Sequence, residues 1–448
     1  MIQNITDLSR KLLRGKLSSR DLVDETFAAI DAAGEEGTKV FLSTYKDAAR
    51  AQADWIDSGR KAGIDLPPHA GIPIAIKDLF DVKGEVTRAG SRVLDENPPA
   101  AQDADIVTKL RRAGFVIVGK NNMTEFAYSG LGVNAHFGTP INPNDAQTPR
   151  VPGGSSSGAA VAVNREIVPA AIGTDTGGSC RIPAAFCGTV GFKPTSTRVS
   201  KRGAVPLSQT LDCVGPFTTS VSCAAVLDSI LSAGPGDDVD SFPEGGIRLG
   251  VLEGYVTEKM DDMVARAYQD ALTRLSHRGV RLTPLNIPQL SRLPEINSKG
   301  GFVGADAYAW HKDLLETRAD FYDPWVRDRF GAGKSQTAAD YIAVGQERHR
   351  MKAFVDEKQE QFDALVLPTV QIVPPTLEEL QDQAHSNAVN LLCLRNTAIG
   401  NFLDLPAISI PCHAEGSLPV GLMLLGLRDQ DRRLLSVARG LEQVIRGR

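Results

Sequence analysis

The sequence predicts an α/β protein, and three observations carry that assignment. Apolar runs of strand length recur along the chain, at Ile72–Ile76, Phe115–Val118, Ile247–Leu252, Ala364–Pro368, Pro406–Pro411 and Leu418–Gly426. Between them lie stretches of helical spacing, at Asp105–Arg112, from Val221 onward and at Asp431–Ile445. That alternation is the pattern of a sheet with helices laid against it. The composition, 42% hydrophobic and 23% charged over 448 residues, supplies a large core with no internal repeat or low-complexity tract.

Taken in order, residues 1 to about 60 read as helices laid on the main body. Ser18-Ser19-Arg20-Asp21 has the form of a capping box, and Leu22, Phe27 and Ile30 follow near helical spacing. A second helix is expected through Lys46–Ile56. Gly71–Phe80 reads as a short buried strand, with Ile72, Ile74 and Ile76 leading to Lys77 at its rim. Sites in open α/β sheets gather at strand ends, although a lysine beside an apolar run is ordinarily a surface charge. Asp105–Arg112 is a helix and Phe115–Val118 a strand, followed by Lys120-Asn121-Asn122-Met123-Thr124-Glu125-Phe126-Ala127. Two turns, Gly153–Gly158 and Gly173–Ser179, then bracket an apolar segment able to cross a core.

Beyond them a helix starts near Val221, and residues 234–246 have the Gly/Pro content of a linker before Ile247–Leu252 resumes as a strand. Residues 300–360 are mostly helical, and Tyr308, Trp310, Phe321, Tyr322 and Trp325 interrupt them as core aromatics rather than named site residues. Ala364–Pro368 is a core strand. The segments Asn396–Phe402, Pro406–Pro411 and Leu418–Gly426 read as strands returning to the sheet, closed by a helix over Asp431–Ile445.

The two glycine turns carry the chemistry. Glycine lets main-chain N–H groups approach a ligand closely, and both turns are rich in hydroxyl groups, so together they suit an anion. A phosphate cradle needs GxxxxGK[ST] or GxGxxG between strand and helix, and neither turn has it. The other anion is a reaction-generated oxyanion, which calls for a nucleophile beside the amides. Ser179 stands there, after Thr176-Gly177-Gly178; its bland reading is a residue that merely turns the chain.

From Pro152 to Pro194 the chain resembles the signature of the amidase signature family of serine hydrolases, a pattern close to GGSSxG…GTDTGGSxRxPAAFCGxxGxKP. The resemblance covers about residues 5–445 and is diffuse between 235 and 360. It implies a single large domain built on a central mixed, twisted β-sheet covered by helices on both faces. Within residues 1–448 it implies an N-terminal helical layer (1–60), a signature catalytic core (65–232), a variable covering region (233–370) and closing strands with a C-terminal helix (371–448). It further implies a Ser–Ser–Lys triad. Ser179 matches the nucleophile, Ser155, 24 residues earlier, the bridging serine, and Lys77, in Gly71-Ile72-Pro73-Ile74-Ala75-Ile76-Lys77-Asp78, the lysine. The backbone of Thr176, Gly177 and Gly178 up to Ser179 matches the oxyanion hole. Tyr128 and Ser129 fall where relatives line the substrate side, and the peptide before Ser155 is cis in relatives. Asp212 matches a loop-holding position. Cys180 departs from the usual aliphatic residue and Asn121 from a threonine.

The activity so implied is hydrolysis of a small linear carboxamide through a Ser179 acyl-enzyme, with neutral Lys77 as the base. The alternatives are the glutaminase subunit of a tRNA-dependent amidotransferase, which the diffuse middle region disfavours, and an inactive amidase-like binding module, which the intact triad positions disfavour. No cofactor and no metal are expected: the seven histidines and six cysteines form no ligand pattern. The expected partner is a small amide. A net charge of −5 points to neither nucleic acid nor membrane, the basic pairs Arg111-Arg112 and Arg432-Arg433 read as solvated helix faces, and a homodimer follows from the resemblance. Scattered cysteines, the lack of a secretory h-region and the lack of an apolar run of about eighteen residues make a cytoplasmic protein the expectation.

Overall fold

The computed structural model describes residues 4–447. Among the described residues, eleven strands form one sheet: β1 (Phe41–Thr44), β2 (Pro73–Lys77), β3 (Val116–Asn121), β4 (Ala170–Asp175), β5 (Val190–Lys193), β6 (Cys213–Thr218), β7 (Arg248–Glu253), β8 (Arg281–Asn286), β9 (Ala364–Pro368), β10 (Ala407–Pro411) and β11 (Gly421–Leu425). Their order is β1-β3-β2-β4-β6-β5-β10-β11-β9-β7-β8. β2 runs parallel to β3 and β4, and β7 to β8 and β9, whereas the strands between β4 and β9 pair antiparallel. The sheet is therefore mixed, as expected.

Alternation along β2 shows how the layers form. Ile72, Ile74 and Ile76 join a core with residues of the helices Ile5–Leu13, Asp105–Arg112 and Val221–Leu231. Ala75 points the other way, into a core that includes Ala159–Val163 of the helix Ser157–Asn164. A strand buried on both faces reads as a nearly continuous apolar run, and every residue of β2 is buried.

The expected helices at Asp105–Arg112 and Asp431–Ile445 have those bounds, and that from Val221 ends at Leu231. The Ser18 capping box forms: its hydroxyl accepts from Asp21 N and the Asp21 carboxylate from Ser18 N. Two readings are corrected. The N-terminal 60 residues are not helical throughout, because Phe41–Thr44 is an edge strand paired antiparallel with β3; four residues are too few to show a period, and the partner strand decides. Asn396–Phe402 is not a strand but the end of the helix Gln383–Leu403, where polar residues recur at helical spacing. Residues 234–246 hold no helix or strand and lie along Asp431–Ile445, with Phe242 N donating to Ser436 O and Val239 buried. No helix among the described residues is long and apolar enough to cross a membrane.

Candidate active site

Lys77 ends β2 on the face of Ala75, toward the helix Ser157–Asn164. Ser155 sits in the turn that precedes this helix, and its carbonyl accepts from Thr124 N at 3.0 Å while Gly154 N donates to Gly130 O at 2.8 Å. The Gly154–Ser155 peptide is cis. β4 lies next to β2, and Gly173 lets the Ser155 turn come close to β4: a Cβ there would stand 2.6 Å from Ser156 Oγ. Strand pairing thus brings three distant pieces of chain to one point. Lys77 Nζ lies 2.7 Å from Ser155 Oγ and 2.9 Å from Thr174 Oγ1.

The surroundings favour an uncharged amine. Lys77 is wholly buried, and no carboxylate forms an ion pair with it among the described residues. Burial penalises the ammonium and pulls it from 10.5 to about 7, against weaker upward pulls from Cys180, Asp212 and Asp175. Both carboxylates have other partners. Asp175 accepts from Arg181 Nε at 3.0 Å and Nη2 at 2.8 Å, from Asn401 Nδ2 at 2.9 Å and from Cys180 N at 3.1 Å. Burial would raise its carboxyl, yet the Arg181 charge and these bonds hold it down at about 2. Asp212 accepts from Thr176 Oγ1 at 2.5 Å and from the N–H groups of Leu207 and Ser208, and so clasps the Ser179 turn to the loop before β6. Asp78, pushed up to about 6 by burial, takes an N–H from Gly90 and faces Lys120 at 3.9 Å.

Ser179 ends a turn between β4 and the helix Arg181–Cys187. Gly178 has φ +138, and a Cβ there would meet Thr397 Oγ1 at 2.2 Å, so only glycine fits. Among the described residues, the main-chain N–H groups from Thr176 through Ser179 donate to no protein acceptor, although Thr176, Gly178 and Ser179 are buried. The Ser179 hydroxyl makes no hydrogen bond to Ser155 or to Lys77 among the described residues. The structure therefore joins two of the three expected triad members and leaves the third unjoined. Hydrogen bonds of this type are often long before substrate binds and tighten in the complex.

Tyr128 and Ser129 lie on an adjoining segment. The Tyr128 ring packs on Phe330 of the helix Pro324–Gly331 at 5.1 Å, and burial pushes its phenol up to about 12. Ser129 Oγ donates to Asn390 Oδ1 at 3.1 Å, and Gly130 N to the same oxygen at 2.7 Å. A Cβ at either Gly130 or Gly177 would meet the Leu394 side chain, so this segment and the Ser179 turn both border Leu394. His136 faces Glu125 at 2.8 Å. Four contributors were not singled out from sequence. Thr174 was readable as one of three hydroxyl residues within Gly173–Ser179. Asn390, Thr397 and Asn401 recur at i, i+7 and i+11, one helical face, a period cut short by the strand reading of Asn396–Phe402. No group of three or more His, Cys, Asp or Glu able to hold a metal occurs among the described residues.

A family model described as Amidase matches residues 21–435. The chain is 33% identical to 2-amino-5-chloromuconic acid deaminase of Comamonas testosteroni, over 99% of this chain and 96% of that protein. It is 34% identical to a glutamyl-tRNA(Gln) amidotransferase subunit of Synechococcus sp. (strain WH7803), over 98% and 96%. A crystal structure described as that of an amidase superposes with a TM-score of 0.88 at 31% identity, covering 98% of this chain and 99% of the other. The match to the amidotransferase subunit spans 98% of this chain and so includes the stretch 235–360.

Proposed function

The chain belongs to the amidase family, and we propose that within it this protein is an amidohydrolase that cleaves a small linear carboxamide to a carboxylic acid and ammonia or an amine. The observation that carries this reading is Lys77, a buried amine without a carboxylate partner, held at about 7 and 2.7 Å from Ser155 Oγ. An amide is a poor electrophile and a serine hydroxyl a weak nucleophile, so the reaction needs both a base and an oxyanion site. Neutral Lys77 takes the Ser155 proton as Ser155 takes that of Ser179. Ser179 Oγ attacks the carbonyl carbon, and the N–H groups of Thr176 through Ser179 receive the oxyanion. Ser155 returns a proton to the leaving nitrogen, the C–N bond breaks, and an acyl-enzyme remains. Water, deprotonated by the same relay, then releases the acid and restores Ser179.

The test is a panel of aliphatic, aryl and carbamoyl amides read by ammonia or amine release, with acyl-Ser179 sought by mass spectrometry. Turnover with an adduct on Ser179 supports the reading; turnover that survives in Ser179→Ala overturns it. The second reading, the glutaminase component of a tRNA-dependent amidotransferase, is favoured by the 34% identity over 98% of the chain. Ammonia release from glutamine alone among the amides, and only with a partner protein present, would select it.

A further inference from the structure

The Lys77 amine has two hydroxyl neighbours, and the proposed relay uses one of them. The second, Thr174 Oγ1, stands 2.9 Å from Nζ, on the strand beside β2. Ser156 Oγ donates to the Thr174 carbonyl at 3.3 Å, and Thr174 pairs with Val214 of β6, so its backbone is held from both sides.

A neutral primary amine carries two N–H donors and one lone pair on a nitrogen that rotates about its terminal bond. A base works only when the lone pair faces the proton it is to take. Of the three orientations about that bond, Ser155 as proton donor needs one in particular. An acceptor on the other side fixes it, because an N–H pointed at that acceptor leaves the lone pair for Ser155. We propose that Thr174 is a positioning residue: its hydroxyl oxygen accepts one N–H of Lys77 and thereby turns the nitrogen lone pair onto the Ser155 hydroxyl. This rests on the reading of Lys77 as the base.

The acceptor count agrees. An ammonium at this point would present three N–H groups to two hydroxyl oxygens, one short in a wholly buried place, and buried unpaired donors are costly. The ionisable groups facing the amine are Asp175, tied to Arg181 and Asn401, Asp212, tied to Thr176, Leu207 N and Ser208 N, and the Cys180 thiol. None of them hydrogen-bonds Nζ among the described residues, so none replaces Thr174.

The probe is an alkyl fluorophosphonate. Ser179 Oγ attacks phosphorus, fluoride leaves, and the serine proton passes to Ser155 and on to Lys77, so the labelling rate reads the relay without a known amide. Its rate against pH is measured for the wild type, Thr174→Val, Thr174→Ser and Lys77→Ala. Thr174→Val should label about 10- to 100-fold more slowly at the plateau, a part of the 10²–10⁴ typical of base assistance. Its acid limb should move to lower pH, because losing an acceptor disfavours the ammonium. Thr174→Ser should restore both. A stability defect alone would lower the plateau without moving the limb. An unchanged plateau and limb in Thr174→Val, with Lys77→Ala slow, overturns the role of Thr174 alone. Near-normal labelling in Lys77→Ala overturns the base reading itself.

Discussion

Arg181 and Lys77 both carry wholly buried basic side chains, and their surroundings differ in one respect. Arg181 meets Asp175 through two nitrogens, Asn401 Oδ1 at 2.7 Å and the Thr397 carbonyl at 2.8 Å. Among the described residues, Lys77 Nζ hydrogen-bonds only to hydroxyl groups. A buried charge persists when an opposite charge and enough hydrogen bonds compensate its desolvation; without them it gives up its proton. Asp175 adjoins Thr176 in the Ser179 turn, so its pairing with Arg181 fixes that turn and also keeps a carboxylate from holding a proton on the base. The paired region gives structure and the unpaired one reactivity.

The largest effect expected from breaking this contrast is on rate. Lys77→Ala should slow turnover by about 10²–10⁴, the scale of general-base assistance, with the fold intact by circular dichroism. A tenfold loss or less would mean that an isolated amine is not what activates the serines. Next comes Asp175→Asn, which strands the Arg181 charge. Breaking one partner of a buried pair costs about 3–5 kcal/mol, to be read as a fall in denaturation midpoint. Because the Asp175 carboxyl is held at about 2, below 3.8, its contribution is present above pH 4 and lost as pH falls toward 2.

A smaller effect reads the Lys77 amine by titration. Lys77 is lowered to about 7 from 10.5, so between those values the unfolded chain binds a proton that the folded chain has released. Stability should therefore rise with pH across that window, by at most about 1.4 kcal/mol per pH unit. Denaturation of Lys77→Met should show a correspondingly flatter dependence; an unchanged slope would mean that Lys77 stays charged in the fold. The smallest effect is expected for Asn401→Ala, which removes hydrogen bonds from Asp175 and Arg181 but leaves both charges. A cost of about 1–3 kcal/mol fits the loss of buried partners, and a loss as large as that of Asp175→Asn would make hydrogen bonding rather than charge the holding force.

How far the sequence could be read depended on whether a feature repeats locally. The β2 run and the helix Asp431–Ile445 were legible because their periods span several residues. The edge strand Phe41–Thr44 was not, since its four residues become a strand only by pairing with β3. The end of Gln383–Leu403 was misread because its polar face, Asn390 to Asn401, is explained only by what it touches.

Composition and motif spacing by themselves determined the α/β class, the family resemblance and the residues worth watching, since these are properties of local order along the chain. Only the tertiary structure decided which charges survive. Asp175 lies beside the Ser179 turn in the chain and Asp212 reaches it through space, yet Arg181 takes one and Thr176 with two main-chain N–H groups takes the other. Whether a buried amine keeps its proton depends on neighbours drawn from β2, β4 and the Ser155 turn, and no stretch of sequence holds all three.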